Sequence, residues 1–490
     1  MKDRIARSVF WLGWSKGIVQ SLSLLSTLYV ARLLNPNDYG LMALTGIWIC
    51  SLAMLAEMGL SAAVVQFRDL DDPELNVCFW LTLATAGIGY LGLYGVAPLI
   101  AAWFSTPLLT EVLRVASLNL LLAAVRIVPD SLLRKSLELD KVSQAEITGV
   151  AVSIPVQAGL AWAGAGVWAL VTGMLLLAFT QSLVTFLFSS WRPGLQMGSR
   201  RLKDILSFSS AKLGGNLCWG FYDQVDIFIL GKMSGDVVLG FYSMAKQIAL
   251  LPVHKIATVV NQLAIPLMAE LQSDRQRMCS AFLRQIRLVA CLTTPLCVGI
   301  TLVAEDLIGV TLMDKWAPAV PLLQVLCLSM VCHSFTTMMP PILLARYRAG
   351  FLFRWNASLL LTMPVVFWCG AAWGGGLGLA LAWLTIYPLI SVWMIHEVLK
   401  ELGIGWMTMG SQLKPIFIAS IMMVASVAVV GYMIPGSGYT DRVVRLVFAC
   451  GFGALAYTVG VLWRGGLLGR EIAEVTGWLL KRSWPLTATK

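Results

Sequence analysis

The chain has 490 residues, 58% of them hydrophobic and 13% charged, with a formal net charge of +10. Soluble domains carry roughly 25% charged residues, and no water-soluble fold could hide this much apolar surface, so a soluble enzyme or nucleic-acid-binding domain is excluded. The bilayer is the solvent here, and membrane-crossing helices are the units to count.

Residues 1–7 are short and basic, and the apolar run behind them exceeds the roughly 7 to 15 residues of a secretory h-region, which predicts a retained first span. Runs long enough to cross the hydrocarbon predict spans over 9–34, 40–66, 76–104, 111–135, 142–164 and 166–190. A second series is predicted over 205–231, 236–269, 281–304, 318–344, 351–373 and 376–399, and a last pair over 412–434 and 442–463. The fold class expected is an all-α integral membrane protein with about fourteen transmembrane helices.

Lys and Arg collect on cytoplasmic connections. The even-numbered connections hold most of them, including Arg134, Lys135, Lys141, Arg192, Arg275, Arg277, Arg346, Arg348 and Lys400. The odd-numbered ones hold Arg32, Arg114, Lys232, Lys315, Arg442 and Arg445. Both termini are therefore expected in the cytoplasm, and the positive balance reads as membrane-surface bias rather than nucleic-acid binding. The ten cysteines, nearly all inside apolar runs and without a CxxC pair, read as packing residues.

The chain repeats itself. RLLNPNDYGLMAL at 32–44 lies without gaps on KMSGDVVLGFYSMA at 232–245, aligning Arg32 with Lys232 and Gly40 with Gly240. PDSLLR at 129–134 resembles PILLAR at 341–346, and the Gly164/Gly166 turn has a counterpart at 374–378. Six helices separate the repeats, an even number, so the sequence predicts parallel lobes. The domains expected are an N-lobe at 1–200, a C-lobe at 201–404, an added helix pair at 405–464 and an amphipathic cytoplasmic tail at 465–490.

This layout, together with Ala31, Arg32, Leu33, Leu34, Pro36, Asp38, Tyr39 and Gly40 at the end of the first helix, resembles the multidrug/oligosaccharidyl-lipid/polysaccharide flippase superfamily. Glu57, Gly59, Leu60 and Gln66, and the segment LLRKSLELDKVSQAEI at 132–147, make it similar to the Wzx-type exporters of the colanic-acid and succinoglycan-like branch. The resemblance implies a V-shaped, alternating-access pair of lobes in the bacterial inner membrane. It implies as substrate an undecaprenyl-diphosphate-linked oligosaccharide carried to the periplasmic leaflet, with membrane lipids, a polysaccharide polymerase and a chain-length regulator as partners.

Ionisable side chains at membrane depth are costly and mark pathways. Lys16 and Gln20 share a face of the first helix, and Glu57 adds a carboxylate to the second. Asn119, Arg126 and Asp130 fall on one stripe of the fourth, with Arg126 and Asp130 placed to pair. Lys212, Asn216, Asp223 and Asp226 form a stripe on the seventh, and Lys246, Gln247, His254, Lys255 and Asn261 follow on the eighth. Converging cations would attract a diphosphate; the alternative is that these charges are buried pairs fastening helices. Asp223 and Asp226 fit a cation or proton site and a lysine partner equally, so coupling to H+ or Na+ stays open.

His333 lacks an ionisable neighbour in sequence and is expected to be structural. His396 and Glu397 begin an HE pair, but Lys400 breaks the HExxH zinc motif, and with no Walker A sequence no cofactor, metal or catalytic residue is expected. Prolines such as Pro155, Pro252 and Pro295 permit kinks. Three functions fit: a lipid-linked oligosaccharide flippase, a MATE-like multidrug or organic-cation antiporter, and a membrane-embedded glycan polymerase or ligase. Lysine excess weighs against the second, and short outer connections weigh against the third.

Overall fold

The structure, a computed structural model, describes the backbone of residues 2–67, 70–196, 198, 202–436 and 438–464. Side chains are described over the same ranges except at 2–16, 18, 202–219, 258, 259, 262, 263, 265, 266, 269 and 464. The side chains of Lys16, Lys212 and Asn216 and the predicted tail at 465–490 lie outside the described residues.

The described residues form α-helices and a short 3-10 helix at Asp314–Trp316, joined by short turns, and hold no strand. In order these are α1 (Lys2–Leu33), α2 (Pro36–Glu57), α3 (Leu60–Gln66), α4 (Asp72–Phe104), α5 (Leu109–Ala116), α6 (Leu118–Lys135), α7 (Leu139–Trp162) and α8 (Val167–Phe188). Then come α9 (Leu202–Glu270), α10 (Arg275–Thr311), α11 (Ala319–Thr336), α12 (Pro340–Ala345), α13 (Ala349–Leu402), α14 (Trp406–Met433) and α15 (Tyr439–Arg464). Among the described residues, 10 helical stretches are long and apolar enough to cross a membrane. That number is below fourteen partly because α13 is a single stretch where the sequence predicts two spans. Gly374 and Gly375 leave helical dihedrals at the predicted turn, as Gly235 does in α9.

The motif at 35–38 has a local reason. Asn35 and Asp38 form a capping box at the start of α2, with the Asp38 carboxylate accepting the Asn35 N–H at 3.0 Å and Pro36 filling the first turn. Asp71, Pro73 and Glu74 start α4 in the same way. Opposite orphan donors are thus satisfied without water, which a helix end at the edge of a bilayer requires.

The internal repeat is visible in backbone detail. After α6 the chain turns through Leu137 at φ 60°, and after α12 through Tyr347 at φ 58°. Both turns close alike, Glu138 N–H onto the Leu133 carbonyl at 2.9 Å and Arg348 N–H onto the Leu343 carbonyl at 2.7 Å. Gly166 has φ 57°, ψ −134° and Gly375 has φ 55°, ψ −133°, a region open only to glycine.

Chain contacts divide the protein into two compact units, Met1–Ser243 with Leu360–Leu379 and Met244–Leu359 with Ala380–Lys490. In the first unit, Leu60, Val64, Phe79, Val128 and Trp191 pack α3, α4 and α6 together. Asn76 and Trp80 hold the strand-free segment after α8, with Trp80 Nε1 donating to the Gly194 carbonyl at 2.9 Å. This unit also brings the two copies of the repeated motif into contact. A Cβ at Gly40 would fall on the carbonyl of Asp236, and one at Gly240 would fall on the carbonyl of Pro36. Since the repeat aligns Pro36 with Asp236, the contact is reciprocal, each copy presenting the same glycine to the same position of the other.

Candidate substrate site

Within the first unit, Arg126 stands well inside the membrane-crossing stretch Leu109–Lys135. Its guanidinium donates to the side-chain oxygen of Gln181 on α8. Gly149 on α7 makes room, since a Cβ there would collide with the Gln181 side chain. The Arg126–Asp130 pair that the sequence leaves open does not form. Asp130 binds Arg134 at 2.6 Å, and Glu146 lies 4.0 Å from the same arginine. Asp130 sits midway between two arginines at i−4 and i+4, and the second acid at Glu146 favours the outer one. Arg126 therefore meets a neutral amide and makes no ion pair among the described residues.

Glu57 is half-buried where the second span breaks. Met58 at φ 49° and Gly59 at φ 70° end α2 and begin α3, and Ser61 donates to the Glu57 carboxylate. Gln20 is exposed on α1. The two acids of the predicted stripe on α9 diverge. Asp223 is exposed. Asp226 is 0% exposed, accepting from Tyr242 Oη at 2.7 Å and from the Ile227 N–H at 2.8 Å. Asp226 is thus a buried contact across the bend at Gly235 in this structure.

In the second unit, Lys246 is buried, with its ammonium 5.9 Å from the centre of the Trp383 ring. His254 and Lys255, more than two helical turns further along α9, are exposed. His333, expected to be structural, is buried among side-chain partners. Its Nδ1 is 3.0 Å from Tyr387 Oη, which is 2.7 Å from Thr336 Oγ1. Sequence reasoning missed Gln181, Tyr387 and Thr336, because uncharged polar residues on apolar helices carry no signal of their own.

Outside the spans, Arg348 bonds to Glu401 and lies 3.4 Å from Glu397. The Glu401 hydrogen bond and charge push the Arg348 guanidinium further above its ordinary range. His396 stacks on Trp406 at 6.3 Å, so the HE pair has structural partners.

Residues 29–321 match the family described as "Polysaccharide biosynthesis protein". The succinoglycan biosynthesis transport protein ExoT of Rhizobium meliloti is 24% identical, over 99% of this chain and 98% of its own. The teichuronic acid biosynthesis protein TuaB of Bacillus subtilis is 27% identical, over 71% of this chain and 73% of its own. Among solved structures, the lipid II flippase MurJ in an inward closed conformation superposes with a TM-score of 0.74 at 14% identity, covering 93% of this chain and 99% of that one. An inward-facing MATE multidrug transporter of the MOP superfamily gives 0.63 at 14% identity, over 78% of this chain and 94% of that one. These likenesses show the transporter fold.

Proposed function

Because this chain belongs to the family of polysaccharide biosynthesis proteins, we propose that it is a flippase moving an undecaprenyl-diphosphate-linked oligosaccharide from the cytoplasmic to the periplasmic leaflet of the bacterial inner membrane. Exopolysaccharide or lipopolysaccharide assembly is the process served, and a polymerase and chain-length regulator are the proposed partners. The relative described as a succinoglycan transport protein and the fold neighbour described as a lipid II flippase support this over drug antiport. Both termini are cytoplasmic in this proposal, with lobes at 1–200 and 201–404 followed by the pair at 405–464.

One observation carries the substrate chemistry. Arg126 is a guanidinium inside a membrane-crossing helix whose bonded partner is the neutral Gln181. A charge at that depth calls for a counter-ion or a wet cavity, and a diphosphate matches the planar donor fork of arginine. In this proposal Lys16, Gln20, Glu57, Lys212 and Asn216 contribute to substrate binding from the first unit, and Lys246, His254 and Lys255 from the second.

The test is reconstitution into liposomes with a fluorescent diphosphate-linked glycolipid, scored by chemical quenching of the outward-facing label. The unchanged protein is expected to translocate it. Arg126→Gln should slow translocation by about tenfold or more, a loss of one charge-assisted contact. Lys16→Ala and Lys212→Ala should abolish glycan export while protein level and membrane insertion persist. Full translocation by all three variants overturns the site, and drug efflux without glycolipid movement overturns the function.

A further inference from the structure

A cavity of about 380 Å³ opens between α10, α14 and α15 in the second unit. Its floor is apolar, formed by Val303, Val427 and Ala449, which belong to one buried cluster or pack on it. Its rim carries Glu305, Asp306, Arg442 and Arg445. Two of these are committed to each other. Asp306 accepts from Arg445 Nε at 2.6 Å and also from its Nη2, while Nη1 caps the end of α14 through the Ile434 carbonyl at 3.1 Å and the Gly436 carbonyl at 3.3 Å.

The other two are not. Glu305 is exposed and has no hydrogen bond or ion pair among the described residues, although its charge acts on both arginines. Arg442 lies over Gly309, where a Cβ would strike it, and uses one nitrogen, Nη1, to bond Asp314 at 2.8 Å. Nε and Nη2 of Arg442 carry no bond to the described residues. One cavity thus holds an unbonded carboxylate and an unbonded pair of guanidinium donors, kept apart rather than paired, above an apolar floor.

A ligand that completes this arrangement must present a cation to Glu305, an anion to Arg442 and hydrocarbon to the floor. We propose that the cavity is a binding site for a phospholipid whose zwitterionic headgroup ends in a primary ammonium, the ammonium donating to Glu305 and the phosphate accepting from Arg442. A quaternary ammonium cannot donate to the carboxylate, and a purely anionic headgroup leaves Glu305 unpaired and repelled. The position favours lipid over a soluble zwitterion. Both charges lie near ends of helices counted as membrane-crossing, and α15 exposes Val447 and Phe448 at 63% and 48% on its flank. The inference rests on the membrane-spanning fold and is independent of the transported substrate.

The full-length protein is purified from nanodiscs holding equal amounts of phosphatidylethanolamine, phosphatidylcholine and phosphatidylglycerol, and the retained lipid is weighed by native mass spectrometry. Phosphatidylethanolamine should exceed phosphatidylcholine by about tenfold, the size of a charged hydrogen bond. Glu305→Gln should remove the preference. Ala428→Trp, which fills the cavity and leaves every charge in place, should remove retention itself. Glu305 is exposed and unbonded, so its variant is expected to fold as well as the unchanged protein, which a thermal melt checks. Equal retention of the first two lipids, preferred retention of phosphatidylglycerol, or a preference that survives Glu305→Gln overturns the site. Glycerophosphoethanolamine is the soluble arm: no displacement at millimolar concentration supports a lipid occupant, and displacement there overturns it.

Discussion

At Arg126 the membrane-embedded guanidinium is held by an amide, and that choice of partner makes the charge available. Gln181→Glu keeps the shape and the hydrogen bond but turns the contact into an ion pair. If Arg126 only fastened α6 to α8, this variant would melt at the same temperature or higher and work normally. With Arg126 as an anion site, translocation should fall by about tenfold while the melting temperature holds. Asp226 gives the contrasting case, because its carboxylate is sealed. Tyr242→Phe removes a buried hydrogen bond to a charged group and should cost about 1.5–3 kcal/mol of stability. The protein that survives should translocate at the unchanged rate per molecule, and a fall in that rate would return Asp226 to the transport path.

Helices rather than partners were legible in the sequence, and the reason is periodicity. Apolar length marks a span, and glycine marks the turn, so Gly166 and the 374–378 cluster pointed to a repeated turn that the backbone repeats within a few degrees. Partner choice has no such signature. Asp130 has an arginine four residues to either side, and Gln181 lies 55 residues from Arg126 on another helix. Three cations expected on outer connections show how an element tolerates misplaced charge: Lys232 bonds the Trp103 carbonyl at 2.6 Å, Arg114 covers Tyr94, and Arg445 is paired with Asp306. Two predictions belong at this scale. Gly375→Ala forces a side chain into a glycine-only region and should cost about 1–3 kcal/mol in detergent unfolding, with Gly166→Ala matching it. Asp306→Asn leaves Arg445 half-buried without its counter-charge and should cost about 3 kcal/mol, whereas a cost near zero would mean the pair is solvated.

For the whole molecule, the informative feature is the reciprocal contact of the repeated motif within the first unit, Gly40 on Asp236 and Gly240 on Pro36. Backbone meets backbone there, so no rotamer change can admit a methyl group, and Gly40→Ala should destabilise by about 1–3 kcal/mol, the usual cost of overpacking, or more. The symmetry makes a sharper demand. Gly240→Ala occupies the equivalent position and should cost nearly the same, a coincidence with no cause if the two glycines served unrelated local turns. The two losses should also fail to add. Once one methyl has separated α2 from α9, the second carbonyl has already withdrawn, so the double variant should lose less than the sum of the singles by about 0.5 kcal/mol or more. Thermal melts of the four proteins in one detergent measure all of this. Strict additivity would mean that the two contacts open independently and that the motif, although repeated in sequence, does not work as a single joint.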